Sequence, residues 1–278
     1  MWAGNTVAGR LAVGHITPFL LTFLRWSLVL IVLWPLYGGE IRARWPDIRP
    51  QIWRVTAMGA LGFTGFNALY YVAAHHTSAI NMGILQGAVP VFVLIGAFLA
   101  HGTRASAFQI LGVLITTIGV VVVATHGELQ KLIALDLNQG DLALLVACVL
   151  YAFYTIGLKN RPSLSGPAFF TLLALIAALT SIPLVIYEVA IGTASMPTLQ
   201  GWLVALWVAI FPSSIAQIFF LRGVDLIGPS RAGVFVNLVP VFAAILAVAL
   251  ISEPFAWFHA AALGLVVGGI WLTQVKRG

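Results

Sequence analysis

Thr64, Asn67, Tyr71 and His75 are separated by three and four residues, the spacing that stacks side chains along one face of a helix. Ser213, Ser214 and Gln217 form a second such group, and Tyr151, Tyr154 and Thr155 a third. Trp2, Asn5, Thr6, Gln86, Trp207 and Asn237 complete the polar and amphipathic residues that fall inside otherwise apolar stretches. Amides and hydroxyls both donate and accept hydrogen bonds, and aromatic rings offer flat apolar faces. The chemistry these residues support is noncovalent holding of a neutral or zwitterionic molecule.

Bond-breaking chemistry finds no matching pattern. G-x-S-x-G and H-E-x-x-H are both absent, and no catalytic residue is assigned. Cys148 is the single cysteine, so there is no disulfide framework and no CxxC metal or redox motif, and it reads as packing. No metal or other cofactor is expected.

The acidic residues are informative by their placement. Glu40, Asp47, Glu128, Asp136, Asp141, Glu188, Asp225 and Glu253 all fall in loops or at the ends of apolar stretches. Intramembrane carboxylates are the usual proton relays, so their absence at mid-depth weighs against proton-coupled export of cationic drugs. No intramembrane Lys or cavity-facing basic cluster is present to hold a phosphate or a sugar nucleotide.

The elements that must position these residues follow from composition. Of 278 residues 61% are apolar, and only 14 Lys+Arg and 8 Asp+Glu are charged, far below the roughly 25% charged of a soluble domain. A bilayer-spanning helix needs about 20 apolar residues. Ten such windows occur, at 1–13, 18–37, 52–73, 79–100, 106–125, 141–159, 167–188, 201–221, 230–251 and 256–275. Runs such as Val91–Ala100 are apolar on every face, which excludes the alternation of a membrane β-barrel. The fold class is all-α integral membrane, and no cleavable signal peptide is visible.

Ten crossings put both termini on one side. Arg42, Arg44, Arg49, Arg54, Arg104, Lys159, Arg161, Arg222, Arg231, Lys276 and Arg277 lie on that side, and Lys131 alone opposes them. Such a bias places both termini in the cytoplasm. The formal charge of +6 is spread over these loops, forms no basic face and does not point to nucleic acid.

The chain also repeats itself. Residues 73–123 align without gaps to 223–273, with identities that include Gly83/Gly233, Gly119/Gly269 and the Val-Pro-Val-Phe block at Val89/Val239. Trp53-Arg-Val matches Trp202-Leu-Val, and Pro18 and Thr22 match Pro167 and Thr171. Five helices are thus repeated, 1–127 and 140–278, joined by a loop at 128–139. Because five is odd, the second copy runs inverted, as in transporters that alternate between two faces. Helix 1 lacks about ten residues relative to its repeat partner, so the numbering is expected to begin inside it.

Paired helix breakers are the best sequence pointer to a transporter site, and Pro90 and Pro240 form such a pair. Each removes a backbone donor and frees the carbonyl four residues earlier, at Gln86 and Val236. Gly83, Gly87 and Gly233 add bending or close-packing points. These five residues are the expected hinge.

The Trp-Ala-Gly-Asn-Thr-Val-Ala start, Thr-Pro-Phe…Phe-Leu-Arg-Trp in helix 2, and Val-Pro-Val-Phe followed by Ser252-Glu253-Pro254 together resemble the EamA branch of the drug/metabolite transporter superfamily. Within it the chain is similar to bacterial YddG-type exporters of aromatic and other neutral amino acids. The resemblance implies a basket of helices 1, 3, 4, 6, 8 and 9 around a central cavity, with helices 5 and 10 peripheral. It implies a monomeric inner-membrane exporter in contact with lipid. The same architecture serves drugs and nucleotide sugars, which is the alternative; an intramembrane enzyme or a channel is a rival from another class.

The expected cavity residues are Asn5, Asn67, Tyr71, His75, Gln86, Tyr151, Tyr154, Trp207, Ser213, Gln217 and Asn237. Arg25 is the one charged candidate inside helix 2. It could meet a substrate carboxylate, but helix 2 is peripheral in the resembled fold. The expectation is therefore snorkelling or pairing with a helix C-terminus. His75 and His76 close helix 3 near the extracytoplasmic surface.

Overall fold

The computed structural model describes residues 1–102, 106–128, 130, 138–227, 236 and 238–274; for 221, 224, 225 and 227 it describes the backbone alone. Among the described residues all regular structure is helical. The chain runs through α1 (Gly4–Ala12) and α2 (Pro18–Ala43). Helix α3 joins Ile52–Gly59, a π turn at Ala60–Gly65, and Phe66–Ala73. Then come α4 (Ala79–His101), α5 (Ala107–Ala124), α6 (Gln139–Asn160) and α7 (Gly166–Ala190). Helix α8 again has three parts, Leu199–Val208, a π turn at Ala209–Ile215, and Ala216–Ile227. Helices α9 (Val239–Ile251) and α10 (Trp257–Thr273) complete the chain.

Six of these helices, α2 and α4 to α8, are long and apolar enough to cross a membrane, with α9 and α10 shorter apolar helices. Their outer faces carry Leu36 at 68%, Leu99 at 76% and Leu203 at 58% exposure. A surface this apolar suits hydrocarbon, where only the helix satisfies its own backbone. The architecture is that of an all-helical integral membrane protein.

The helix starts follow local chemistry. Ser78, Ser106, Ser165 and Thr198 each accept a hydrogen bond from the backbone three residues on, and Ser106 with Gln109 closes a capping box. Gly102 stops α4 in the left-handed conformation at φ 63°, and Ser252 stops α9 in the same way at φ 51°.

Helix α2 packs along α7, and α5 along α10; α3 packs on α6, and α1 on α8 and α9. Each carboxylate at the end of α2 or α7 reaches the N-terminus of the other helix. Glu188 accepts from Phe19 N (2.9 Å), Leu20 N (3.1 Å) and Thr17 Oγ1 (2.7 Å). Glu40 accepts from the Ser165 amide and hydroxyl, both at 2.7 Å. Glu253 does the same for α4, taking Ala79 N at 2.8 Å and Ile80 N at 3.0 Å. A carboxylate at these positions meets both the orphan amides and the positive end of the helix dipole.

Candidate functional site

Pro212 lacks an amide hydrogen and clashes with the carbonyl four residues earlier, and it sits inside the π turn of α8. The Val208 carbonyl accepts from the Ser213 hydroxyl at 2.6 Å, and the Ala209 carbonyl from Ser214 at 2.8 Å. Having donated its hydrogen, Ser213 Oγ keeps its lone pairs for another donor. Arg25 Nε supplies it at 2.8 Å.

Arg25 is the centre of this site. Its Nη1 donates to Asn5 Oδ1 at 3.1 Å and to Tyr71 Oη at 2.7 Å, and its guanidinium lies 5.2 Å from the ring centroid of Trp26. The residue is 7% exposed. It therefore joins α1, α2, α3 and α8, and it neither snorkels nor pairs with a helix C-terminus. The correction has a physical reason: α2 turns this face toward α3 and α8, so the nearest partners are neutral acceptors inside the bundle and not water. Among the described residues no carboxylate pairs with it; the ion pairs are Arg10–Glu253 and Arg44–Asp47.

The helices that carry Arg25 and Tyr71 also hold polar atoms without partners. Tyr70 Oη, Asn67 Oδ1 and Trp26 Nε1 are enclosed and make no hydrogen bond among the described residues. Asn67 Nδ2 turns back to Phe63 O at 2.7 Å. Tyr70 lies beside Asn5 and Gln86, and Gln86 Nε2 bends back to Met82 O at 3.1 Å. An aromatic wall adjoins the cluster: Trp26 on Phe63 at 4.8 Å, Phe63 on Tyr154 at 5.0 Å, and Tyr151 on Phe66 at 5.1 Å between centroids.

Asn5, Tyr71 and Ser213 are thus brought together on Arg25; Asn67 lies one turn before Tyr71 on α3, Gln86 is on α4, and Tyr151 and Tyr154 are on α6. Trp207 stacks on Phe211 at 5.6 Å and covers Gly4 of α1, while Gln217 is half-buried two residues beyond the π turn. Thr64 parts from its expected face. It bonds Ala177 O (3.1 Å) and Thr180 Oγ1 (2.7 Å) of α7, because the π turn at Ala60–Gly65 changes the helical register between it and Tyr71. Asn237 and Gly233 lie outside the described residues.

His75 also leaves the group. It is exposed at the end of the bundle and, with His76, Arg10, Asn81, His126 and His259, lines a separate polar cavity of about 420 Å³. Partial burial, helped by His76 and Arg10, holds the His75 pKa below the usual imidazole value. Contacts distant in sequence meet at this end: Arg10 approaches Glu253 at 3.8 Å and donates to the Ala74 carbonyl, and Asn138 donates to His76 O at 2.7 Å.

In α4 a tighter 3₁₀ turn at Gln86–Ala88 precedes Pro90, as the missing donor requires. Gly83 and Gly87 are close-packing points. A Cβ on Gly83 would lie 2.4 Å from Ala243 Cβ of α9, and one on Gly87 would lie 2.2 Å from Val266 Cγ1 of α10.

Tyr70, Trp26 and Pro212 were not singled out from sequence. Tyr70 adjoins a chosen tyrosine, and Pro212 precedes the chosen serines, so both carried a usable signal. Trp26 had none beyond its place beside Arg25.

The bundle thus encloses hydrogen-bonding and aromatic residues within an all-helical membrane protein. The chain belongs to the EamA-like transporter family, whose profile matches residues 1–125 and 138–275. It is similar to the uncharacterized transporter YetK of Bacillus subtilis, 26% identical over 98% of this chain and 83% of that one. YyaM of the same organism is 28% identical over 77% of this chain and 70% of its own. An uncharacterized transporter of Archaeoglobus fulgidus is 27% identical over 100% of this chain and 94% of its own. A solved structure, titled only "Crystal structure of protein", shares the fold with a TM-score of 0.66 at 21% identity, over 98% of this chain and 92% of that one. The named relatives are transporters, and a small molecule is the implied cargo.

Proposed function

We propose that the chain is a secondary exporter of small neutral or zwitterionic metabolites, aromatic and other neutral amino acids first among them, working by alternating access. Ten crossings form two inverted halves, 1–127 and 140–278, with both termini cytoplasmic in a bacterial inner membrane.

The observation that carries this reading is the pair of π turns. They open at Ala60 in α3 and Ala209 in α8, positions that the repeat puts in register, and the Arg25 cluster lies between the two helices that bear them. Single π turns gather at functional sites, and matched irregularities in two halves mark the binding region of a transporter. The exchanged caps of α2 and α7 and the left-handed stops at Gly102 and Ser252 support the same pseudo-symmetry.

The 3₁₀ turn before Pro90 supports a hinge in α4. Pro90→Ala and Pro240→Ala should each lower efflux of phenylalanine from proteoliposomes by about tenfold while leaving the folded yield intact: at Pro90 alanine restores a hydrogen bond inside α4, and at Pro240, which sits in the first turn of α9, it removes the ring that fixes the helix start. Unchanged flux in both variants would discard the hinge. Competition by tryptophan, phenylalanine and threonine, against that by cationic drugs or nucleotide sugars, separates the proposed cargo from its alternative.

A further inference from the structure

We propose that Arg25 is the receptor for a carboxylate on the transported molecule. This deepens the function proposed above and rests on it.

A guanidinium offers five donors in a planar fork matched to a carboxylate. Here Nε and Nη1 are used, by Ser213, Asn5 and Tyr71, and Nη2 has no hydrogen bond among the described residues. All three partners are neutral, so among the described residues nothing compensates the positive charge. Arg25 lies seven residues into α2 from Pro18, about 10 Å along the axis, at a depth where a cation is strongly disfavoured without a partner. The face of Trp26 and three neutral acceptors reduce that penalty but supply no opposite charge.

A purely structural arginine would be expected to carry a fixed acid, as the ends of this bundle do. Glu188, Glu253 and Glu40 each saturate their neighbouring amides at the helix ends. None is assigned to Arg25. Two unpartnered atoms on α3, Tyr70 Oη next in sequence to Tyr71 and Asn67 Oδ1 one turn earlier, provide a donor and an acceptor for the rest of a small polar molecule. The Trp26, Phe63 and Tyr154 rings provide an apolar wall. The missing charge is anionic and planar, which a carboxylate satisfies.

Two kinds of cargo share this chemistry, an amino acid and a simple monocarboxylate. Binding to the purified protein in detergent, read as a thermal shift, separates them without any need for flux. The probes are phenylalanine, phenylacetate, phenylalanine amide and phenethylamine. Both acids should bind at least about tenfold more tightly than the amide and the amine, the effect of one charge-assisted hydrogen bond. Phenylacetate matching phenylalanine would identify the carboxylate alone as the feature read; a stronger phenylalanine would add the amino group. Arg25→Gln should abolish the preference and Arg25→Lys should keep part of it.

The preference among probes in the parent protein tests the idea even where Arg25→Gln fails to fold. An amide that binds as tightly as the acid, binding of neither acid, or a preference that survives in Arg25→Gln would overturn it. Acids that bind but never cross a membrane would instead refute the transport function, whereas equal flux of amide and acid would refute the role of Arg25 alone.

Discussion

Gly269→Leu should leave little folded protein in detergent, while Gly268→Ala, one residue earlier in α10, should melt at or slightly above the parent temperature. A Cβ at 269 would lie 2.3 Å from Thr116 Oγ1 and 2.6 Å from the Gly112 carbonyl of α5. The Gly112 position returns the same conflict, 2.5 Å from the Gly269 carbonyl. Small residues let two membrane helices approach backbone to backbone, and here the obstacle is main chain that no rotamer change can clear. Separating α5 from α10 forfeits the packing of the buried Val266 against Gly119. A loss of about 3 kcal/mol or more is expected from overpacking that shifts backbone. Gly268 meets nothing within 4 Å, so alanine there acts only through helix propensity, a gain of up to about 1 kcal/mol. Melting followed by fluorescence-detected size exclusion reads both variants, and equal behaviour would contradict the close α5–α10 crossing.

The second large effect is expected at Glu188, which is 4% exposed. Glu188→Ala strands the amides of Phe19 and Leu20 and the hydroxyl of Thr17 at a half-buried helix start. Unsatisfied buried donors cost about 1–3 kcal/mol each, and the anion also complements the dipole of α2. A destabilisation of about 2–4 kcal/mol is expected once partial rehydration is allowed for. Glu188→Gln should fall between, because it keeps one acceptor oxygen and loses the charge. Glu40→Ala, which frees only exposed groups of Ser165, should cost under about 1 kcal/mol. Similar losses at Glu188 and Glu40 would show that burial does not govern these caps.

Much of the fold was legible because hydropathy and capping act locally. Ser78, Ser106 and Thr198 start helices where apolar runs begin, and the expected spans 18–37 and 79–100 became α2 and α4 with ends moved by a few residues. The extension of α2 to Ala43 was hidden by Gly38, Gly39 and Glu40, which read as a loop. The site was only partly legible. Asn5, Tyr71 and Ser213 were chosen from polarity and spacing, and all three hydrogen-bond one arginine. What spacing cannot show is a π turn, since one extra residue per turn leaves composition unchanged, and that turn sends Thr64 to α7. Arg25 was misplaced because a cation's direction depends on which helices flank it. Those contacts, between residues 20 to 188 positions apart, leave no local trace.

Counterflow of radiolabelled phenylalanine in proteoliposomes tests the central claim most directly. A carrier that exposes one site to each side in turn should take up label along a saturable curve, several-fold faster when unlabelled phenylalanine fills the lumen. Uptake that rises linearly with concentration and ignores the trans side, or no uptake above protein-free vesicles, would contradict it.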